Sequence, residues 1–386
     1  MRLLYTCFAF LAFTAANALD IEVRLFSKNK LQSCIVSVRG GNYSLVAVNI
    51  GKPAEILQQF EPNGLYKSLT IKPSANGVAA TYGSKAIGTQ QVFLFTPLDS
   101  NAHFIIKGSG PERIYKGQLR FKLYQGELQV VNIINLEDYV AGVVESEGGH
   151  YAQYEYFKAQ AVLARTWVLK NMDKHKKEGY NVRDDESSQV YKSMAYLQYC
   201  SNILSAVYDT RDTILTDAAG KPIFGAFHSN SGGQTLSSED YWNEKIEYLR
   251  SVTDTFSLNM TQARWEKRIN KEEFANFVAS KLGVSANNID FRQALFNFKQ
   301  IERQAYFVFG GKSLKLRYVR EQYKLRSTFF DVIEEETTVL LQGRGFGHGV
   351  GMSQEGAMRM SELGYCYEEI LTHYFQNAKL NKIKEN

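Results

Sequence analysis

The sequence predicts an α+β fold, a β-rich N-terminal region followed by a mixed α/β domain. Three observations carry that reading. From Ile21 to about Gly110, short β-prone runs alternate with stretches of Gly, Pro, Asn and Ser. From Leu136 onward, apolar residues recur at helical spacing, in Leu136–Glu147 and again over Tyr154 to His175. Near the C-terminus, five glycines occupy alternate positions from 343 to 351, with a sixth at 356. That spacing forbids an ordinary helix or strand, because glycine loses the most backbone freedom on ordering and packs no side chain. The expected division is residues 1–18 as a signal peptide, 19–112 as a β-rich domain and 113–386 as the α/β domain.

Composition sets the outer bounds. The chain has 386 residues, 44% hydrophobic and 22% charged, which is an ordinary globular balance. The net charge of +5 is modest and the basic residues are not clustered, so nucleic acid is not an expected partner. Met1-Arg2, the apolar run Leu3 to Thr14 and the small-residue site Ala16-Asn17-Ala18 read as a secretory leader cleaved after Ala18. The run is short of the roughly 20 residues needed to span a bilayer. No later segment is long and apolar enough, so the mature chain is expected to have no transmembrane span. Cleavage leaves Cys34, Cys200 and Cys366, and three cysteines make at most one pair. No CxxC or His/Cys cluster suggests a structural zinc site.

In order along the chain, Ile21–Phe26 reads as a strand, and Cys34–Val38 with Tyr43–Val48 reads as a hairpin across Gly40-Gly41. Further runs lie at Leu65–Ile71 and Gln91–Phe95. This region holds no catalytic constellation; it is a lid and scaffold or a binding module. Leu119–Tyr124 and Leu128–Ile133 read as a second hairpin, turned at Gln125-Gly126.

Asn135 then caps a helix ended by Gly148-Gly149, with Glu137 and Asp138 in the first turn, where the helix dipole favours acids. Leu136, Val140, Val143 and Val144 form one apolar stripe, and the next position along it is Glu147. A carboxylate closing an apolar stripe is costly unless paired or proton-bearing. That is the setting of a general acid. The alternative is a frayed end with Glu147 facing water.

The second helix presents Phe157, Ala161, Ala164 and Val168 inward, and Arg165 lies beside that face. Arg165 reads either as a snorkelling surface residue or as a partner for a carboxylate or anionic ligand group. Lys174–Ser188 reads as a charged linker, Val190 to Val207 as a helix, and Thr213–Thr216 and Ile223–Phe227 as strands. The latter empties into His228-Ser229-Asn230-Ser231-Gly232-Gly233, a rigid element delivering polar side chains onto a loop. Glu272–Leu282 reads as a helix and Phe291 to Glu336 as strands. The glycine loop Gly343–Ala357 follows, carrying His348, Ser353 and Gln354, with Ser353 as N-cap of a helix to Leu363. The loop lacks the Lys-Ser/Thr of a phosphate loop and the dinucleotide spacing. Two His-plus-Gly loops, at His228 and His348, point to one cleft. The last helix is Tyr367 to Phe375.

The order of these motifs resembles the stage II sporulation protein D family, the SpoIID/LytB domain. The matching stretches are Leu136–Glu147 with Lys158–Thr166, Phe227–Gly233, Tyr248–Val252 with Trp265, and Gly343–Ala357, together spanning roughly residues 115 to 380. The resemblance implies a lytic transglycosylase acting on peptidoglycan glycan strands, with a preference for strands stripped of stem peptides. It places the catalytic glutamate at Glu147 and the arginine of the Ala-Arg-Thr motif at Arg165. His228, Ser229, Ser231, His348, Ser353 and Gln354 are then the expected substrate-binding residues. LytB-type relatives imply a rival role, a non-catalytic enhancer of a cell-wall amidase, with that amidase as partner; a wall-binding protein whose cleft merely holds glycan is a third reading. Two departures matter. The family usually has Met-Pro after the glutamate, where this chain has Gly148-Gly149. Some members hold zinc through a His and two Cys before Gln-Val-Tyr, but Asp185–Tyr191 contains neither, so no metal and no cofactor are expected. The resemblance and the leader together imply an exported protein of the periplasm, cell envelope or extracellular space.

One glutamate suffices for this chemistry. Ordinary glycosidases need two carboxylates. In a transglycosylase the nucleophile is the sugar's own 6-hydroxyl, which closes a 1,6-anhydro ring.

Overall fold

A computed structural model describes residues 19–62, 67–149, 151–193 and 197–383. The signal-peptide segment lies outside the described residues. The fold is mixed α+β with a β-rich N-terminal region, and it divides into two compact units. One runs to Tyr139 and takes in Met172–Met194; the other comprises Val140–Asn171 and Ala195–Asn386.

Two sheets make the first unit. Among the described residues, one sheet runs in the order Val182–Arg183, Asp20–Leu25, Glu127–Asn135, Gln118–Tyr124, Val92–Pro97, Tyr43–Val48, Glu55–Phe60. The other runs Arg113–Lys116, His103–Lys107, Cys34–Gly40, Leu69–Ser74, Gly77–Tyr82, Lys85–Gln90. Alternating burial along the strands sends one face of each inward. Tyr43 meets Phe104 edge-on at 5.7 Å, closing the core between the sheets.

Three expectations change here. Cys34–Gly40 and Tyr43–Val48 do not pair; they belong to opposite sheets. Gly41 has φ +60°, and a Cβ there would fall 2.7 Å from Ala102 Cα, so Gly40-Gly41 carries the chain across instead of back. The boundary expected at 112 lies inside this unit, because Gln118–Tyr124 pairs with Val92–Pro97 and Glu127–Asn135 with Asp20–Leu25. Lys174–Ser188 is not a linker. Its Val182–Arg183 pairs parallel with the first strand, and Asp184 accepts from the Phe26 N–H at 2.8 Å and from Arg113 at 2.7 Å. The hairpin at Gln125-Gly126 is observed, with both turn residues at positive φ, as a two-residue type I′ turn requires.

The helices are α1 (Leu136–Gly148), α2 (Tyr154–Lys170), α3 (Leu197–Asp209), α4 (Ser238–Trp242), α5 (Lys271–Leu282), α6 (Ile289–Phe296), α7 (Leu316–Tyr323), α8 (Gln354–Glu362) and α9 (Tyr367–Tyr374). The stretch expected as strands from Phe291 contains α6 and α7. Asn288 caps α6, accepting from the Phe291 N–H at 2.8 Å. Both helices bury one face in a core of Trp265, Phe274, Phe291, Phe307, Phe330 and Leu341. Among the described residues no helix is long and apolar enough to cross a membrane.

In the second unit α2 packs against α3, α8, α9 and the strand Thr213–Thr216. From Tyr156 to Val168 every residue but Lys158 is buried. Val162, Leu163 and Val168 each contribute about 1.5–3 kcal/mol by leaving water, and Ala159, Ala161 and Ala164 let the neighbours approach. Arg165 is fully buried here, donating to the carbonyls of Thr213 at 3.0 Å and Val207 at 3.3 Å. It thus joins α2 to α3 and its following strand. Removing the donor strands buried carbonyls, so Arg165→Met is expected to lower the unfolding free energy by about 3 kcal/mol. Urea denaturation checks this; an unchanged midpoint would contradict the role.

Candidate functional site

The apolar stripe of α1 is buried through Val143 and Val144, and Glu147 sits half-buried one turn further on. The residue that meets this end of α1 is Tyr156, from the first turn of α2. A Cβ on Gly148 would fall 3.0 Å from both the Tyr156 hydroxyl and Cε1. Tyr156 is fully buried, and burial pushes its hydroxyl well above the usual tyrosine range, with the Glu147 charge adding to the rise. Gln354, at the start of α8, acts in the opposite direction. Neither the Tyr156 hydroxyl nor Gln354 Nε2 reaches a partner at hydrogen-bond geometry. Three elements therefore converge on one point. The Tyr156 N–H donates to Ser361 Oγ at 3.1 Å, fixing α2 against α8.

The glycine loop forms a second group of side chains. Thr338–Arg344 is a strand, contrary to the expected irregular start, and Gly343 lies in it opposite Trp265. The Trp265 ring occupies the space where a side chain at 343 would be. Beyond it, Met352–Ser353 pairs in parallel with Phe227–His228. That pairing needs glycine. A Cβ at Gly351 would fall 2.1 Å from the Ala226 carbonyl oxygen, and one at Gly349 would fall 2.3 Å from the Arg303 guanidinium.

The two histidines are thereby brought together, with ring centroids 5.5 Å apart, and His348 lies 5.1 Å from Trp242 and 5.7 Å from Tyr241. His228 Nδ1 lies 3.2 Å from the Val350 carbonyl, so it carries the proton. His348 Nδ1 accepts from the Val350 N–H at 3.0 Å, which leaves its proton on Nε2. Burial holds His228 well below the ordinary range, with the neighbouring His348 and the Arg303 charge adding to it. Burial, Arg320 and Arg303 push His348 down to about 3. Both rings are neutral near pH 7 and serve as fixed hydrogen-bonding groups, not proton carriers. Arg303 itself is lowered to about 9, by burial first and then by Arg320 and Arg344.

Ser231 and Ser353 are fully buried scaffolding. Ser231 Oγ donates to Asp254 at 2.7 Å, while Ser353 Oγ accepts from the N–H groups of Ser231 and Gly356, each at 3.2 Å, as the N-cap of α8. The half-buried Ser229 lends its carbonyl to the Glu355 N–H at 2.9 Å. Strand alternation turns its side chain away from that of His228. The expected residues thus fall into two sets: Glu147 with Gln354 at the helix ends, and His228 with His348 behind the loop. Arg165 donates to backbone carbonyls of α3 and of the strand that follows it.

Tyr156, Asp254 and Arg303 were not among the expected residues. A single-stripe reading of α2 passes over Tyr156 because the helix is buried on nearly every side. Asp254 follows the Tyr248–Val252 motif closely and was the easiest to find; Arg303 had no local signal. Among the described residues no group of three or more His, Cys, Asp and Glu could hold a metal ion.

The fold is mixed α+β, and its glycine loop frames two neutral histidines. The family model described as SpoIID, stage II sporulation protein, matches residues 124–216. Stage II sporulation protein D of Bacillus amyloliquefaciens is 34% identical over 300 residues, 74% of this chain and 86% of that protein. The protein of the same name from Bacillus subtilis (strain 168) is 33% identical over 286 residues, 71% and 82% of the two chains. An amidase enhancer of that strain is 27% identical over 289 residues, 62% of this chain and 40% of its own length. The chain belongs to the stage II sporulation protein D family.

The histidine pair gives a pH signature. Both folded-state values lie below the ordinary 6.5, so the unfolded chain takes up protons first as the medium acidifies. The stability is present above about pH 6.5 and is lost as pH falls toward the folded values, by at most about 1.4 kcal/mol per pH unit for each ring. Urea denaturation near pH 7 and near pH 5 should show the loss, and His348→Asn should reduce it. An equal loss in the variant would contradict this.

Proposed function

We propose that the protein is an exported peptidoglycan-remodelling enzyme, a lytic transglycosylase that cleaves glycan strands to 1,6-anhydro ends. The observation that carries the reading is the Glu147 carboxylate at the end of α1, set beside Tyr156 and Gln354 where three elements converge. Membership of the sporulation protein D family supports a role at the cell wall.

In the proposed cycle, protonated Glu147 gives its proton to the glycosidic oxygen as the C1–O bond breaks. The resulting carboxylate takes the proton of the sugar's 6-hydroxyl as that oxygen bonds to C1. Glu147 ends protonated, and no water is consumed. Gln354 and Ser229 hold the sugar's amide and hydroxyl groups in this reading. His228 and His348, neutral throughout, shape the wall behind the loop, and Ser231 and Ser353 hold that wall in place. Arg165 acts at one remove by fixing α2.

A second reading is a non-catalytic amidase enhancer with a cell-wall amidase as partner. The similarity to the amidase enhancer and the Gly148-Gly149 pair favour it. Amidase-treated peptidoglycan distinguishes the two. Wild type should release anhydro-muramyl ends, detected by mass spectrometry, and Glu147→Gln should release them at least about 100-fold more slowly. Equal release by the variant, or none by wild type, contradicts the enzymatic reading; binding without turnover favours the enhancer.

A further inference from the structure

The departure at Gly148 has a structural counterpart. The side chain of a residue at 148 would run into Tyr156. A Cβ alone would stand 3.0 Å from the Tyr156 hydroxyl and 3.0 Å from its Cε1. That is closer than ordinary van der Waals contact, and the ring cannot retreat, since Tyr156 is fully buried with its backbone N–H held by Ser361. Glycine at 148 and tyrosine at 156 therefore fit as a pair, the ring filling the space a larger residue would take.

Packing alone would be served by phenylalanine. A buried hydroxyl without a hydrogen-bond partner costs about 1–3 kcal/mol, and the Tyr156 hydroxyl is such a group. Orphaned buried polar atoms in folded proteins call for an explanation. The groups beside this one are the Glu147 carboxylate and the Gln354 amide, whose Nε2 is also unpartnered.

We propose that Tyr156 is a positioning residue for Glu147, its hydroxyl steering the carboxylate, with Gly148 as the space that admits it. This rests on the reading of Glu147 as the acid and base of the reaction. The hydroxyl keeps its proton at neutral pH, so it can donate to Glu147 once that carboxyl is charged. It therefore favours the charged form and holds one rotamer between the two proton transfers. Gln354 brings the glycine-loop side of the site to the same point.

The test has two readouts. In protein labelled with 13C at the glutamate Cδ, the Glu147 signal is assigned by its loss in Glu147→Gln and titrated in wild type and in Tyr156→Phe. Loss of the donor should raise the Glu147 pKa by about 0.5 unit or more, and identical titration curves would overturn the proposal. In the glycan assay Tyr156→Phe should lower kcat about tenfold or more with KM little changed. The limb of the pH profile that requires protonated Glu147 should move to higher pH. Gly148→Met should be impaired by collision with the ring, and Gly148→Met combined with Tyr156→Ala should recover part of the lost activity. An unaltered kcat and pH profile in Tyr156→Phe, with only a lower melting temperature, would make Tyr156 a packing residue and overturn the proposal. An inactive wild type would sink the transglycosylase reading instead, while the titration would still decide the role of Tyr156.

Discussion

The constraint on which the site depends is the burial of α2 on nearly every side. A helix with almost no solvent-facing surface cannot rotate or slide without opening a cavity, and close-packed interiors resist that strongly. Three of its residues transmit this rigidity. Toward the C-terminal half, Arg165 and Thr166 bind backbone of the neighbouring elements, Thr166 Oγ1 accepting from the Leu215 N–H at 2.9 Å. At the N-terminal end Tyr156 stands against the last turn of α1. Glu147 is thus positioned by a core helix, although it lies at a helix end where fraying would otherwise be expected.

The glycine loop serves a different purpose from the one its composition first suggests. Its missing side chains admit protein, not only ligand: the Ala226 carbonyl, the Arg303 guanidinium and the Trp265 ring each occupy space a Cβ would deny. The histidines it frames are neutral and bound to the Val350 backbone. With the imidazoles neutral near pH 7, the proposed chemistry centres on the Glu147 carboxylate. A transglycosylase needs no more than that.

Local features were legible in the sequence. The stripe of α1 is buried as its spacing predicts, the Gln125-Gly126 turn gave its hairpin, and Ser353 caps α8 as its residue type suggests. What depended on distant pairing was not. Cys34–Gly40 and Tyr43–Val48 look like hairpin partners, yet each finds its neighbours far along the chain, in separate sheets. The helices α6 and α7 were hidden by their aromatic and β-branched residues, although Asn288 and the 316, 319, 323 spacing marked them. Arg165 illustrates the limit most clearly: beside an inner face it could be read as a surface residue, yet it is fully buried and donates to two carbonyls from other elements.

The claim that one glutamate performs the cleavage, with the sugar's own hydroxyl as nucleophile, is tested most directly by the fate of solvent oxygen. Stripped glycan strands are cleaved by the wild-type protein in water enriched in 18O, and the new ends are analysed by mass spectrometry. Intramolecular ring closure predicts products without the label. One labelled oxygen per new end would mean that water is the nucleophile, which would contradict the single-carboxylate mechanism and require a second catalytic base.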